Sequence, residues 1–454
     1  MASASSAPSV IVIGAGISGI AAAKTLHDAG VKDIVILEAT SHVGGRMRKA
    51  EIGGHTVELG ANWYLSGGPV PNPIAEIASK LNLKYTLTDN GNLSSNTYKQ
   101  QGGLYPKEAV EAAQKATAAR TDFCAKFSQA LNSGAKEDDD ISILAAHRLS
   151  GSLPETPLER VVEYMNDELT DGEPPELTSL KNVHPRTIGP DHGPLAHFVA
   201  DPRGYEAIPQ YVGEQFLSSI NGDPRLQLNK VVREITYTEN MVVVQTEDGS
   251  TYQANYVIIS VSIGVLQSDL IQFKPQLPMW KRVAIADFSM AVYSKIFFQF
   301  PHKFWPTGPG TETFLYAHIQ RGYYPVWQHL DNEIPGSNIL MVTVTYDEAK
   351  RMEQLSDKEL QAEAMGVLRK MFGEKIPEPE SVLTHRWFSD RFYRGSHSNW
   401  PRGYSQDRHD KLGAAVGPVY FTGEHLHKKY FGWVSGAYLA GIDTAKSLLK
   451  SLEK

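Results

Sequence analysis

The first residues able to do chemistry are glycines. Gly14-Ala15-Gly16-Ile17-Ser18-Gly19 follows the apolar run Val10–Ile13 without a gap, and Ala21 to Ala29 then reads as a helix. Gly14 permits a tight strand-to-helix turn, Gly16 lets a pyrophosphate approach the backbone, and Gly19 lets the helix pack closely on the strand. Free N–H groups and the positive end of the helix dipole would hold the phosphates. A second apolar strand, Ile34–Leu37, closes on Glu38, followed by Ala39. A carboxylate there accepts bonds from ribose hydroxyls and disfavours a 2′-phosphate, so the site reads as one for a dinucleotide other than NADP. Gly44-Gly45-Arg46 comes next and could add backbone donors and a guanidinium to the same diphosphate.

A second set of residues has no place in that cradle. Lys295 stands alone in Ala291-Val292-Tyr293-Ser294-Lys295-Ile296-Phe297, a stretch that otherwise reads as a mostly apolar strand. A buried charge is costly, so this lysine either has a task or reaches solvent from a strand end. Trp63, Tyr293, Trp387, Trp400 and Trp433 could wall a site that excludes water and receives ammonium groups, although each alone could equally be core. Asp167, Glu168, Asp171 and Glu173 crowd one short segment, as a solvated loop or as a cation site. His425 and His427 lack further ligands at metal-binding spacing, so no metal is expected. No nucleophile elbow supports Ser-His-Asp chemistry.

The elements needed to position these residues are legible in outline. Leu226–Asn229, Val231–Ile235 and Met241–Val244 read as strands, with Asp248-Gly249 as a hairpin turn, and Tyr256–Val261 as a buried strand. Phe288–Phe300 and Ile339–Tyr346 alternate and read as long strands of a second sheet. Pro73 to Arg148 reads mostly as amphipathic helix, Asp357–Met371 as another, and Ala437–Leu449 as a helix opening after Gly432.

A chain of 454 residues suits two interpenetrating domains. A net charge of −7 argues against a nucleic-acid partner. The single cysteine, Cys124, excludes an intramolecular disulfide and reads as an idle thiol. No run approaches the roughly 20 apolar residues of a membrane span, and the small, polar first ten residues predict no secretory signal. Cytoplasm is the expected location, and the Asn92-Leu93-Ser94 sequon is expected to be chance. Oligomeric state has no signal in the sequence.

The glycine fingerprint, the ribose acid and Gly44-Gly45-Arg46, joined by Glu58-Leu59-Gly60-Ala61-Asn62-Trp63, Thr422-Gly423-Glu424-His425 and Gly432-Trp433-Val434-Ser435-Gly436, resemble the flavin amine oxidase superfamily. Arg203-Gly204-Tyr205-Glu206, Asp223–Lys230, Gly264-Val265-Leu266 and Ser389–Tyr393 narrow the likeness to plant polyamine oxidases, from Val10 to Leu448. The resemblance implies an α/β fold: a discontinuous Rossmann-like FAD-binding domain (8–80, 200–288 and 385–454) interleaved with an α+β substrate-binding domain (81–199 and 289–384). It implies non-covalent FAD, with Gly14, Ala15, Gly16, Gly19, Glu38, Ala39, Gly45 and Arg46 around the dinucleotide. Gly60, Ala61, Asn62 and Trp63 would lie beneath the flavin ring, and a backbone group of Val232 would hold the adenine. Trp387, Gly423, Trp433 and Val434 would complete the flavin end, and Glu424 would bind a ribityl or phosphate-proximal hydroxyl.

Lys295 would hold a water against flavin N5, and Tyr293, His397 and Trp433 would line the substrate tunnel. Two tunnel glutamates of the secreted enzymes are replaced by Leu65 and Thr170; Asp171 and its acidic neighbours are candidate substitutes. The implied reaction is hydride transfer from a secondary amine of spermine or thermospermine to N5, hydrolysis of the iminium, and reoxidation by oxygen with release of hydrogen peroxide. The expected direction is back-conversion giving 3-aminopropanal. The alternatives are terminal catabolism giving 1,3-diaminopropane, another amine or L-amino-acid oxidase, and a flavoprotein module of the chromatin-associated kind.

Overall fold

The computed structural model describes residues 8–89, 92–134, 139–186, 188–220 and 222–453. Most of the N-terminal segment read above for a secretory signal lies outside the described residues.

Apolar, β-branched runs form a five-stranded parallel sheet in the order Val419–Phe421, Tyr256–Ile259, Val10–Ile13, Ile34–Leu37, Leu226–Gln227. Near-continuous burial of these strands is what a parallel sheet covered on both faces requires. The helix after the first strand runs from Ile17 to Asp28, four residues earlier than the sequence suggested. It packs along the C-terminal helix Val434–Leu452, which likewise starts earlier, at Val434 rather than Ala437. Small residues allow the approach: a Cβ on Gly441 would lie 2.2 Å from the Ser18 carbonyl oxygen. Beside this sheet, Val232–Tyr237, Val242–Thr246, Thr251–Ala254 and Gln272–Lys274 form a four-stranded layer, with Asp248-Gly249 turning between the second and third.

The second large sheet has six strands in the order Ser381–Thr384, Tyr293–Gln299, Ile339–Thr345, Val326–His329, Thr313–Ala317, Thr97–Lys99. The helix Asp357–Phe372 packs into the apolar core along it. Three sequence expectations need correction here. Phe288–Phe300 is not one strand: Ser289–Ala291 pairs with His397–Asn399, and the chain then enters the six-stranded sheet at Tyr293. The break at Val292 is fixed by Tyr346, whose N–H donates to the Val292 carbonyl at 2.8 Å. Ile339–Thr345 is buried throughout rather than on alternate faces, because core covers one face and the site described below the other. The stretch 73–148 is less helical than its composition suggested, since Tyr85–Leu87 and Thr97–Lys99 are strands.

A small three-stranded sheet also joins distant segments. Trp63–Ser66 and Tyr85–Leu87 both pair with Leu195–Val199. Among the described residues no helix is long and apolar enough to cross a membrane.

Candidate active site

A cavity of about 630 Å³ opens where the parallel sheet, the six-stranded sheet and the start of the C-terminal helix meet. Its inner end is built on the first glycines. Gly14 has φ +99°, and a Cβ there would stand 2.9 Å from the Ser260 carbonyl oxygen; a Cβ on Gly19 would stand 2.1 Å from the Gly14 oxygen. A Cβ on Gly16 would meet nothing within 4 Å, so this backbone borders open space. Gly16 is also the N-cap of the helix and offers no side-chain cap, which leaves N–H groups of the first turn to a ligand. Ala15 and Gly19 do not reach the cavity wall. Ala15 instead donates its N–H to Glu38 Oε2 at 2.8 Å, and Thr40 donates N–H and hydroxyl to Glu38 Oε1, both at 2.8 Å. That fixes a carboxylate whose remaining lone pairs border the cavity, beside Ala39 and Val232.

Arg46 and Glu424 form the opposite wall. Arg46 Nη1 donates to Glu424 Oε1 at 2.8 Å and to the Ser396 carbonyl at 3.0 Å. Glu424 also accepts from the Ser398 N–H (3.1 Å), the Ser398 hydroxyl (2.6 Å) and the Gly432 N–H (2.7 Å). Although burial alone would raise it, Arg46 and the hydrogen bonds hold this carboxyl down to about 2. A carboxylate has about four acceptor positions, and these protein donors draw on them. Glu424 thus orients Arg46 and the start of the C-terminal helix while itself bordering the cavity, where a ribityl or phosphate-proximal hydroxyl is expected.

Lys295 is buried, 3% exposed, on the cavity wall. Its ammonium donates to the carbonyls of Glu58 (3.4 Å) and Gly60, and stands 5.3 Å from the centre of the Trp63 ring. Burial pushes it down to about 7, with the Glu58 charge opposing. Glu58 is itself pushed up to about 7 by burial. With two N–H groups committed to carbonyls, Lys295 has one position left, a lone pair when neutral and an N–H when charged. Around it stand Gly60, Ala61, Asn62, Trp63, Tyr293, Trp387 and, across the cavity, Gly423, Trp433 and Val434. Trp63 is oriented by its Nε1–H bond to Thr88 Oγ1 at 2.8 Å. His397 meets Tyr293 edge-on at 6.2 Å between ring centres, and burial lowers its proton affinity. Trp400 is not part of this wall; it is core, stacked on His409.

Residues 17–449 match the family described as flavin containing amine oxidoreductase. The chain belongs to that family. Within the flavin-containing amine oxidoreductases, it is 50% identical over 459 residues to Polyamine oxidase 1 of Zea mays, covering 98% of this chain and 91% of the maize protein. It is also 50% identical to Polyamine oxidase 7 of Oryza sativa subsp. japonica, over 96% of this chain and 93% of the rice protein. Putrescine oxidase bound to putrescine superposes with a TM-score of 0.78 at 19% identity, covering 98% and 99% of the two chains, and shows the same fold.

FAD is the cofactor of this amine oxidoreductase, and the donor set fits it. The Asn62 side chain is 1% exposed on the cavity wall, with neither amide oxygen nor nitrogen partnered by a described residue. Together with the open Gly16 and the anchored Glu38, such an orphaned amide calls for a polar ligand. Gly45 lies opposite Gly16 on the same wall, 3.4 Å from a Cβ position to the Gly16 Cα.

Beyond the flavin end, Leu65 and Thr170 line the cavity without charge. The acidic segment is neither a wet loop nor a set of free carboxylates. Asp171 is buried and clamped by Arg186, at 2.7 Å from Nη2 and 3.3 Å from Nε. Glu168 accepts from Arg321 Nε (2.7 Å) and Thr345 Oγ1 (2.8 Å), and Glu173 from Asn399 Nδ2 (3.0 Å). Asp167 lies 3.7 Å from Arg186 and 3.8 Å from His147. Sequence reasoning missed Arg186, Thr343, Val326, Gln328 and Thr313 on the wall. A polar Gln328 inside an apolar strand was the available signal; Arg186 had none, because its partners are set by tertiary contact.

Proposed function

We propose that this protein is a polyamine oxidase that oxidises a secondary amine of a tetraamine, spermine or thermospermine, by back-conversion to a triamine and 3-aminopropanal. The observation that carries the reading is the continuity of one cavity, which runs from the Gly16–Glu38 cradle past Lys295 to an uncharged stretch at Leu65 and Thr170. FAD, when bound, supplies the hydride acceptor and is returned to its oxidised form by oxygen. The chain's own residues prepare the amine. Trp63, Tyr293 and Trp433 exclude water and lay an aliphatic chain along the wall, and desolvation favours the neutral amine from which hydride can leave. Lys295, neutral above about pH 7, presents its lone pair to a water beside the reacting carbon. That water is placed to hydrolyse the iminium.

The polyamine class is supported by the 48–50% identity to proteins named polyamine oxidase. An amino-acid oxidase would need a cavity arginine free to meet a carboxylate. Arg186 lines the cavity, but Asp171 occupies it. Back-conversion is supported by the loss of carboxylates at Leu65 and Thr170 together with the neutralised acidic segment. With no carboxylate fixing the register there, the polycation is free to present a different α-carbon. Chromatography of the products from spermine, thermospermine and spermidine tests the reading. Spermidine with 3-aminopropanal is expected from spermine and from thermospermine, and putrescine with 3-aminopropanal from any spermidine turned over. 1,3-Diaminopropane with an aminoaldehyde would sink the direction and keep the class; no turnover of any polyamine would sink both.

A further inference from the structure

If Leu65 and Thr170 carry no charge and the acids near Asp171 are matched by arginines, the far ammonium of a polyamine needs another receptor. One face of the six-stranded sheet supplies it. Tyr293, Lys295, Thr343, Val326, Gln328 and Thr313 all line the cavity, as side chains at paired and alternating positions of adjacent strands must. Lys295 is opposite Thr343, and Thr343 opposite Val326. With Gln328 two residues further along, strand spacing places it roughly 12 Å from Lys295.

Gln328 is oriented from behind. Its Nε2 donates to Glu312 Oε1 at 2.7 Å, so the amide is not free to flip, and its Oε1 has no partner among the described residues. Glu312 is fully buried; its other oxygen accepts from the Asp89 N–H (3.1 Å) and Asn332 Nδ2 (3.3 Å). Beside it lies Glu333, 6% exposed, with both carboxyl oxygens lacking a hydrogen-bond partner. Burial and the adjoining Glu312 push Glu333 up to about 8. The nearby cation is spent on a third acid: Lys303 stands 2.8 Å from Asp331, and His329, 3.3 Å from the same carboxylate, has its proton affinity lowered by burial. No described lysine or arginine pairs with Glu312 or Glu333. This end of the cavity therefore has a side-chain amide on the wall, a buried carboxyl behind it whose proton affinity burial raises, and no lysine or arginine paired with that carboxyl among the described residues.

We infer that Gln328, held and polarised by Glu312, is the subsite for the distal primary ammonium of the polyamine. The inference rests on the polyamine reading above and adds the residues that set chain register. A carbonyl backed by a buried carboxylate binds an ammonium without placing a bare anion on an apolar wall, where it would be costly. The hydroxyls of Thr313 and Thr88 flank the same end.

The test compares spermine with N-butyl-1,3-diaminopropane, which keeps a secondary amine but ends in a methyl group. In the full-length holoenzyme, Gln328→Leu is expected to raise KM for spermine about tenfold or more, as loss of a hydrogen bond to a charged group implies. Its kcat, and KM for the analogue, should stay near wild type. Glu312→Gln keeps the shape and removes the charge, so it should shift the spermine KM in the same direction and leave the analogue alone. It also serves should the leucine variant fail to fold. Equal KM changes for both substrates, or none, would overturn the subsite. A wild-type enzyme that turns over no polyamine would instead overturn the functional reading on which the subsite rests.

Discussion

At the scale of single residues, proton affinities set the sharpest expectations. Lys295 is held near 7 by burial, so it is charged below that pH and neutral above it. Lys295→Met should leave FAD bound yet slow reduction or reoxidation of the flavin in stopped-flow absorbance. The wild-type half-reactions should show a step near pH 7 that the variant lacks; identical profiles would reject a role for this amine. Glu424 is the opposite case. Its affinity falls from 4.5 to about 2 on folding, so its stabilisation is complete above 4.5 and is lost as pH falls toward 2. Glu424→Gln should cost about 3 kcal/mol or more in unfolding free energy near neutral pH, since it strips Arg46 of its buried partner. Denaturant unfolding measures this, and a loss within the scatter of surface substitutions would contradict it. The types and order of these residues were legible in the sequence. That Glu424 accepts from Arg46, Ser398 and Gly432 was not, because Arg46 and Ser398 come from other segments and Gly432 reaches it only through the turn that opens the C-terminal helix.

At the scale of elements, the packing of the Ile17–Asp28 helix on the Val434–Leu452 helix holds the phosphate-binding turn in place. Gly441→Val would bring a Cβ to 2.2 Å from the Ser18 carbonyl oxygen, and backbone rather than a flexible side chain must yield. The expected cost is about 1–3 kcal/mol, with weaker FAD retention because the displaced turn carries the first free N–H groups. Thermal unfolding with and without added FAD checks both parts; an unchanged FAD shift would separate helix packing from cofactor binding. Element reading succeeded where periodicity was local, as at Ile34–Leu37 and Asp357–Phe372. It failed at Phe288–Phe300, where the chain changes sheets without a Gly or Pro to mark the break. Only partners from distant segments decide which strand a residue such as Ala291 or Tyr293 joins.

At the scale of the whole molecule, the cofactor and the buried ion pairs act on the fold together. FAD released intact by heat or denaturant is expected. The one thiol, Cys124, is fully buried, is pushed up to about 12 by burial, and does not line the cavity. Flavin that stays attached to unfolded protein would contradict a non-covalent site. Excess FAD at about one hundred times its Kd should add about 2.7 kcal/mol to unfolding. Asp171→Asn should act on stability as well as on the cavity, because it leaves the Arg186 guanidinium without its bidentate partner; breaking such a buried pair costs about 3–5 kcal/mol. A variant with normal stability and only a raised KM would show that Asp171 faces substrate instead.

The sequence by itself determined the dinucleotide turn, the ribose acid and the isolated lysine. Their signals are short-range: glycines where a backbone must turn or be approached, and one charge in an apolar strand. It also carried the family resemblance, through motifs from Val10 to Leu448. Only the tertiary structure decided which charges are free. Asp167, Glu168 and Asp171 look like an open acidic patch along the chain, but Arg186 and Arg321 neutralise them in space. Glu312 and Glu333 look unremarkable along the chain, yet folding buries them together behind Gln328 with no matching cation among the described residues. Charge in a folded protein is felt through the partners and water it loses, and both are set by residues distant in sequence.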